Sequence, residues 1–400
     1  MVDVAHKPMR IGVVGLITIG GASSGTAGGV EKLIEEVTTR QAAAGHDVTV
    51  YVRKKYNTDG LKEYHGVKLV SLPAIYTKHL EAITHSFLSM IVAIWQCEVI
   101  QFHSMGPAVL SWIPRLFGRK TVCTLHGLDY RRDKWGTVAK TVLRIGEWCA
   151  LHFPNRTTVV SRFLERHYPE AYGKDVVYIP NGVPAIPHRP LQSLSKHGLE
   201  PGKYILYLGR IVPEKGAQYL VPAFRAVDTD MKLAIVGDAR HAGEFYTTVR
   251  TLAEGDDRIV FTGALYGADK EEAFSNAYLF CLPSDLEGLP IVLLEAMGNG
   301  RCCLTSDIPE VVEVIDPPRL GYPDGDPEGN PAPHGVTFKK ADLADLAAQL
   351  TKLIENPVET ARLGESARNH VLREYNWDAI AQQYLNVYHE ALHGTPNAPA

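Results

Sequence analysis

The reading turns on Ser284-Asp-Leu-Glu287-Gly-Leu-Pro-Ile-Val-Leu-Leu-Glu295-Ala-Met-Gly-Asn-Gly-Arg-Cys-Cys-Leu-Thr-Ser-Asp307. Apolar runs at 279–282 and 302–305 bracket a loop and a helix-length segment, the pattern of one βαβ unit. Gly288 and Leu289 sit where the helix is expected to begin, so their N–H groups can point at an anion with the positive end of the helix dipole behind them. A diphosphate fits there. With Glu287 before the helix and Glu295 about two turns inside it, one carboxylate can touch a group beyond the phosphates while the other takes a pair of hydroxyls.

The same alternation runs outward through the chain. Strands are expected at 10–16, 47–52, 67–72, 99–102, 121–125, 156–160 and 176–179, then at 204–208, 232–236, 259–262, 279–282 and 302–305. Helix-period segments between them argue parallel sheets, and two Rossmann-like α/β domains are simpler than one very large sheet. Three prolines in Pro184-Ala-Ile-Pro-His-Arg-Pro190 favour an extended linker after Val183. The expected domains are therefore 1–183 and 204–375, joined by a linker at 184–203, with 376–400 holding a last helix around Trp377 to Leu392. Facing domains of this kind are expected to hold a site between them. The Pro- and Gly-rich stretch from Asp316 to Gly335 reads as a long surface loop or flap, and 394–400 as a disordered tail.

Length supports two domains, because 400 residues exceed what a single growing core usually takes. The formal charge of −4 hides an asymmetry: residues 1–190 carry 23 Lys and Arg against 15 Asp and Glu, leaving 18 against 30 for the rest. A basic half can meet an anionic membrane surface or a phosphorylated acceptor, or simply be a solvated face. Nucleic acid is disfavoured because no recognised binding motif accompanies the charge. The six cysteines show no C-x-x-C spacing and read as reduced, buried small hydrophobes of a cytoplasmic protein. The run Ile11-Gly-Val-Val-Gly-Leu-Ile17 suits a first buried strand better than a signal peptide. The longest later apolar stretch, Leu88 to Trp95, falls far short of the ~20 residues of a spanning helix, so any membrane contact is expected to be peripheral.

Three further constellations stand at strand ends. Gly20-Gly-Ala-Ser-Ser-Gly-Thr-Ala-Gly28-Gly29 precedes a helix opened by Val30-Glu31, a loop that could cradle phosphate although it is neither a G-x-G-x-x-G fingerprint nor a Walker loop. Tyr207-Leu-Gly-Arg210-Ile-Val-Pro-Glu-Lys215-Gly216 offers a planar guanidinium and a compact ammonium to neutralise a departing diphosphate. His126, in Thr124-Leu-His126-Gly-Leu-Asp129, follows a strand directly. The His, Asp and Glu residues are mostly scattered along the sequence and no C-x-x-C occurs, so neither a metal site nor a serine nucleophile elbow is expected.

The segment 284–307 resembles the E-x7-E region of retaining glycosyltransferases of family 4, departing at Arg301-Cys302-Cys303 where such proteins usually carry a small residue, Pro and Val. The resemblance extends in order from Met9 to about His389, through Gly28-Gly29-Val30-Glu31, Val160-Ser-Arg162, Asn181-Gly-Val183 and Ile235-Val-Gly237-Asp238. It implies a GT-B fold with the last helix crossing back to the first domain. It also implies a nucleoside diphosphate sugar as substrate, with no separate cofactor. Glu287, His126, Arg210 and Lys215 would be catalytic, and Gly28, Gly29, Gly288, Leu289 and Glu295 would bind the donor. Asp129-Tyr130-Arg131-Arg132-Asp133-Lys134-Trp135-Gly136 looks like the branch that includes bacterial polysaccharide rhamnosyltransferases, making Asp129, Tyr130 and Arg131 acceptor-side candidates. That branch implies a dTDP-rhamnose donor and a polyprenyl-diphosphate-linked glycan acceptor on the cytoplasmic membrane face, with UDP-hexose and GDP-mannose left open. A sugar-nucleotide epimerase and a non-catalytic nucleotide-sugar sensor are the rival readings.

Overall fold

A computed structural model describes residues 7–20, 28–77, 80–132, 135–183, 186–238, 243–322 and 333–394. The chain divides into two compact units, residues 1–181 with 377–400, and residues 182–376.

The first unit contains β1 (Arg10–Val14), β2 (Asp47–Arg53), β3 (Glu63–Tyr64), β4 (Val67–Leu72), β5 (Val99–His103), β6 (Lys120–Leu125), β7 (Arg156–Val159) and β8 (Val177–Tyr178). They form one sheet in the order β3-β4-β2-β1-β5-β6-β7-β8, parallel except for the β3–β4 pair. Val- and Ile-rich strands bury both faces, as crossover helices require. Val14, Ile100, Phe102 and Leu125 pack with Met90, Ile94 and Ala150 in the core. The helix Trp377–His393 packs on the helix Gly29–Ala43, so the chain's end completes the first unit. Tyr388 Oη donates to buried Gln101, and Arg40 and Arg156 pair with Asp378 and Glu390 at 2.6 and 3.3 Å.

The second unit contains β9 (Tyr204–Leu208), β10 (Lys232–Val236), β11 (Ile259–Gly263), β12 (Leu279–Leu282), β13 (Cys302–Ser306) and β14 (Val336–Phe338), parallel in the order β11-β10-β9-β12-β13-β14. Two parallel-sheet α/β units are the GT-B architecture expected. The linker expectation needs correcting: described residues of 184–203 are part of the second unit. Glu272 accepts the N–H groups of Gln192, Ser193 and Leu194 at 2.7, 3.1 and 2.8 Å, and Leu194 is buried, so proline richness here marks a docked segment. Of the expected flap, residues 317–320 form a 3-10 turn and 323–332 lie outside the described residues. All six cysteines are buried free thiols.

Candidate active site

In the second unit β10 and β11 add to one side of β9, after which the chain returns to add β12, β13 and β14 on the other. The carboxyl ends of β9 and β12 are thus a topological switch point, where open α/β sheets bind ligands.

After β9 the chain passes Arg210, makes the 3-10 turn Pro213–Lys215 and reaches Gly216 at φ 74°. A Cβ at Gly216 would stand 1.8 Å from the Pro283 carbonyl oxygen, so only glycine lets this turn lie against the loop leaving β12. The Asp285 N–H donates to the Glu214 carbonyl at 3.0 Å, a second tie between the two loops. Held there, Lys215 Nζ donates to both Glu287 oxygens at 2.6 and 2.7 Å, and Ser284 Oγ donates to Oε1 at 2.7 Å. The two charged side chains are only 17% and 6% exposed. Desolvation offsets much of the attraction in such a pair, so its main effect is to orient the groups. An ammonium has three N–H bonds, and the carboxylate takes two, leaving one for an anionic ligand. Arg210 is exposed at the end of β9. Its carbonyl accepts from Tyr207 Oη at 3.1 Å, and burial, reinforced by the Glu287 charge, raises that phenol so that it stays neutral.

The helix is Ile291–Gly298 with Pro290 as its N-cap. Gly288 and Leu289, expected at the helix start, instead lie in the bend before it. Proline has no N–H and favours the entry to a helix, so the first helical amides are those of Ile291 and Val292. Glu295, the fifth helical residue, accepts from Lys270 Nζ at 2.6 Å. Lys270 was not anticipated, because it stands on a separate helix, Gly267–Asn276, and no spacing connects it to Glu295.

In the first unit the winding reverses between β1 and β5. His103 ends β5, His126 follows β6, and His103 Nδ1 lies 3.0 Å from His126 Nε2 with the rings stacked. One of these nitrogens must carry a proton and donate it to the other. His103 also went unnoticed, although it occupies the same strand-end position that singled out His126. Burial holds both imidazoles neutral: His103, next to His126, falls well below its usual value, and His126, near Arg132, falls to about 4. His126 is therefore expected to titrate near pH 4 in a histidine NMR titration, and a midpoint near 6.5 would contradict this packing. The sign for stability follows. Unfolded imidazoles protonate at about 6.5, so the pair's contribution is complete above that pH and is lost as pH falls through about 4.

Of the glycine loop expected to cradle phosphate, only Gly20, Gly28 and Gly29 are among the described residues. The Gly28 N–H donates to Glu31 Oε2 at 3.2 Å, Glu31 also accepts from the Ile17 N–H at 3.4 Å, and Glu35 accepts from Gly20 at 3.1 Å. The amide of Gly28 is thus taken by a carboxylate. Gly29 opens the helix, and residues 21–27 lie outside the described residues. Asp129, Tyr130 and Arg131 form a 3-10 turn; Asp129 pairs with Arg132 at 3.1 Å, Tyr130 lies 5.2 Å under Arg144, and Arg131 is exposed. Among the described residues no group of three or more His, Cys, Asp or Glu is placed to hold a metal ion.

Residues 27–185 match the family model Glycosyltransferase Family 4, and residues 192–370 match Glycosyl transferases group 1. A Phosphatidyl-myo-inositol mannosyltransferase of Mycobacterium tuberculosis is 27% identical over 90% of this chain and 93% of its own length. A GDP-mannose-dependent monoacylated alpha-(1-6)-phosphatidylinositol monomannoside mannosyltransferase of Corynebacterium glutamicum is 28% identical over 58% of this chain, and the match spans 61% of that relative. Among solved structures, sucrose-phosphate synthase from Thermosynechococcus elongatus superposes with a TM-score of 0.78 at 20% identity, covering 96% of this chain and 98% of that one, a likeness of fold. With one glycosyltransferase family model on each half and a fold shared with GT-B enzymes, this chain is a glycosyltransferase.

Proposed function

We propose that the chain transfers a sugar, with retention of anomeric configuration and without a divalent metal, from a nucleoside diphosphate sugar to a hydroxyl of a glycan or lipid-linked glycan. The observation that carries this reading is the Ser284–Glu287–Lys215 constellation at the switch point beside the entry to the helix Ile291–Gly298. Departure of the diphosphate is the costly event. The remaining N–H of Lys215, the Arg210 guanidinium and the first helical amides can stabilise the growing phosphate charge. Glu287, fixed by Ser284 and Lys215, faces the cationic character that develops on the sugar. Glu295, held by Lys270, takes the ribose hydroxyls. A donor phosphate oxygen takes the acceptor proton, so no protein base is needed. For the first unit the proposal keeps His126 as a contact of the transferred sugar and Asp129, Tyr130 and Arg131 as contacts of the acceptor. Gly28 and Gly29 remain donor contacts in it. Gly288 and Leu289 contribute backbone ahead of the helix.

The relatives' names support a GDP-mannose donor and an inositol-lipid acceptor alongside the dTDP-rhamnose, UDP-hexose and polyprenyl-diphosphate glycan candidates. Such an acceptor implies peripheral contact with the cytoplasmic membrane face. A thermal-shift screen over sugar nucleotides tests the donor, since a ligand at a hundred times its Kd adds about 2.7 kcal/mol of stability. Turnover on the donor so identified is expected to survive EDTA; loss of activity with EDTA and recovery with Mn would contradict the metal-independent mechanism.

A further inference from the structure

Two helices of the first unit pack one side on the core and turn a second, apolar stripe to the surface. The helix Glu81–Gln96 buries Met90, Ala93 and Ile94 together with His85, Ser86 and Ser89, and exposes Phe87, Leu88, Ile91 and Trp95. The helix Thr137–His152 buries Glu147, whose carboxylate accepts from Tyr168 and Tyr172 at 3.2 and 2.8 Å, and exposes Val138, Val142, Ile145 and Trp148. These spacings of three and four residues make an apolar stripe on each helix, turned outward. The turn between them, which exposes Trp112, Leu116 and Phe117, makes the surface continuous. Phe117 lies 6.2 Å from Trp95, Arg115 donates to the Phe153 carbonyl, and Phe153 lies 5.4 Å from Trp148. The exposure is large at its prominent points, 72% for Trp95 and Leu116 and 80% for Val138.

The exposed charges beside these apolar groups are mainly cationic, and the nearby carboxylates Glu81 and Glu98 are paired with Arg53 and Arg10. From Val99 to Leu128 the sequence contains Arg115, Arg119 and Lys120 and no Asp or Glu. On the helix Thr137–His152, Lys140 and Arg144 stand on the outer side and the single carboxylate, Glu147, is buried. A second copy would bring the same positive charge against itself, and a soluble acidic partner would leave the tryptophans without a reason to face outward. An anionic bilayer satisfies both features, taking the aliphatic and indole groups at the acyl boundary and the cations at its headgroups.

We propose that this face, from the helix Glu81–Gln96 across the 112–117 turn to the helix Thr137–His152, docks the protein on a membrane containing anionic lipid. It gives a surface to the membrane contact implied by the lipid-linked acceptor of the proposed function, on which it rests for its biological sense. Its geometry owes nothing to the donor chemistry.

Co-sedimentation with phosphatidylcholine vesicles carrying about one third phosphatidylglycerol, in about 0.15 M salt, tests it. Binding and a blue shift of tryptophan emission are expected with these vesicles and not with phosphatidylcholine alone, weakening as salt rises. Leu116→Asp and Val138→Asp, both at exposed positions, should each lower the partition coefficient about tenfold, with unchanged melting temperature. Val358→Asp, 84% exposed on the second unit, should leave binding unaltered. Equal binding by all variants would overturn the proposal, as would wild-type protein that ignores anionic vesicles. So would concentration-dependent dimers abolished by Leu116→Asp in sedimentation velocity, which would assign the face to a second copy. Because no donor is present, a protein inactive on every sugar nucleotide that still binds as described would sink the proposed function and leave this inference standing.

Discussion

Lys215→Ala is expected to reduce turnover by ~10²–10³, the loss typical of one preorganised donor to a developing charge. The ammonium is held by both Glu287 oxygens at 2.6 and 2.7 Å and by the Gly216 turn against Pro283, so it needs no reorganisation when the phosphate charge grows. Its interaction with the diphosphate strengthens as the glycosidic bond breaks, which is why turnover, more than donor affinity, should fall. Stability should fall as well, by about 3 kcal/mol, since Glu287 would be left buried without its cation. Single-turnover rates measured below the variant's lowered melting temperature separate the two effects. Unchanged turnover would remove Lys215 from the site.

The second large effect separates the two glutamates. Glu287→Gln keeps the size and the Ser284 contact but removes the negative charge facing the sugar, so turnover should drop by ~10² while donor affinity changes little. Glu295→Ala removes a contact to a part of the donor that barely changes during reaction. Donor affinity should then fall by roughly ten- to a hundredfold, the worth of a charged hydrogen bond, at near-normal saturated turnover. Lys270 tolerates the change because its side chain is 30% exposed and can be hydrated. Donor titrations and single-turnover rates decide the matter, and the opposite pattern would reverse the assignment.

Much of the fold could be read from the Val- and Ile-rich runs, because buried parallel strands need apolar residues on both faces. The expected strands at 67–72, 204–208, 232–236 and 279–282 have their observed boundaries. Glu63–Tyr64 and Val336–Phe338 escaped because pairs and triplets of residues leave no periodic trace. In the linker, proline density indicates extended backbone but carries no information on what receives its N–H groups, and here Glu272, about eighty residues later, receives three. The site was legible as residue types at strand ends, not as partnerships. Lys215 and Glu287 are 72 residues apart, and His103 and His126 are 23 apart, joined only by the order in which strands enter the sheet. Gly216 stood in the quoted motif, but its importance comes from a carbonyl on another loop that no local pattern contains.

The central claim is retaining transfer from a nucleoside diphosphate sugar, and following the reaction by proton NMR tests it most directly. With the donor picked by thermal shift and a hydroxyl acceptor, nucleoside diphosphate should accumulate as a new glycoside appears with the anomeric configuration of the donor sugar. A glycoside of opposite configuration, or no consumption of any sugar nucleotide, would contradict it.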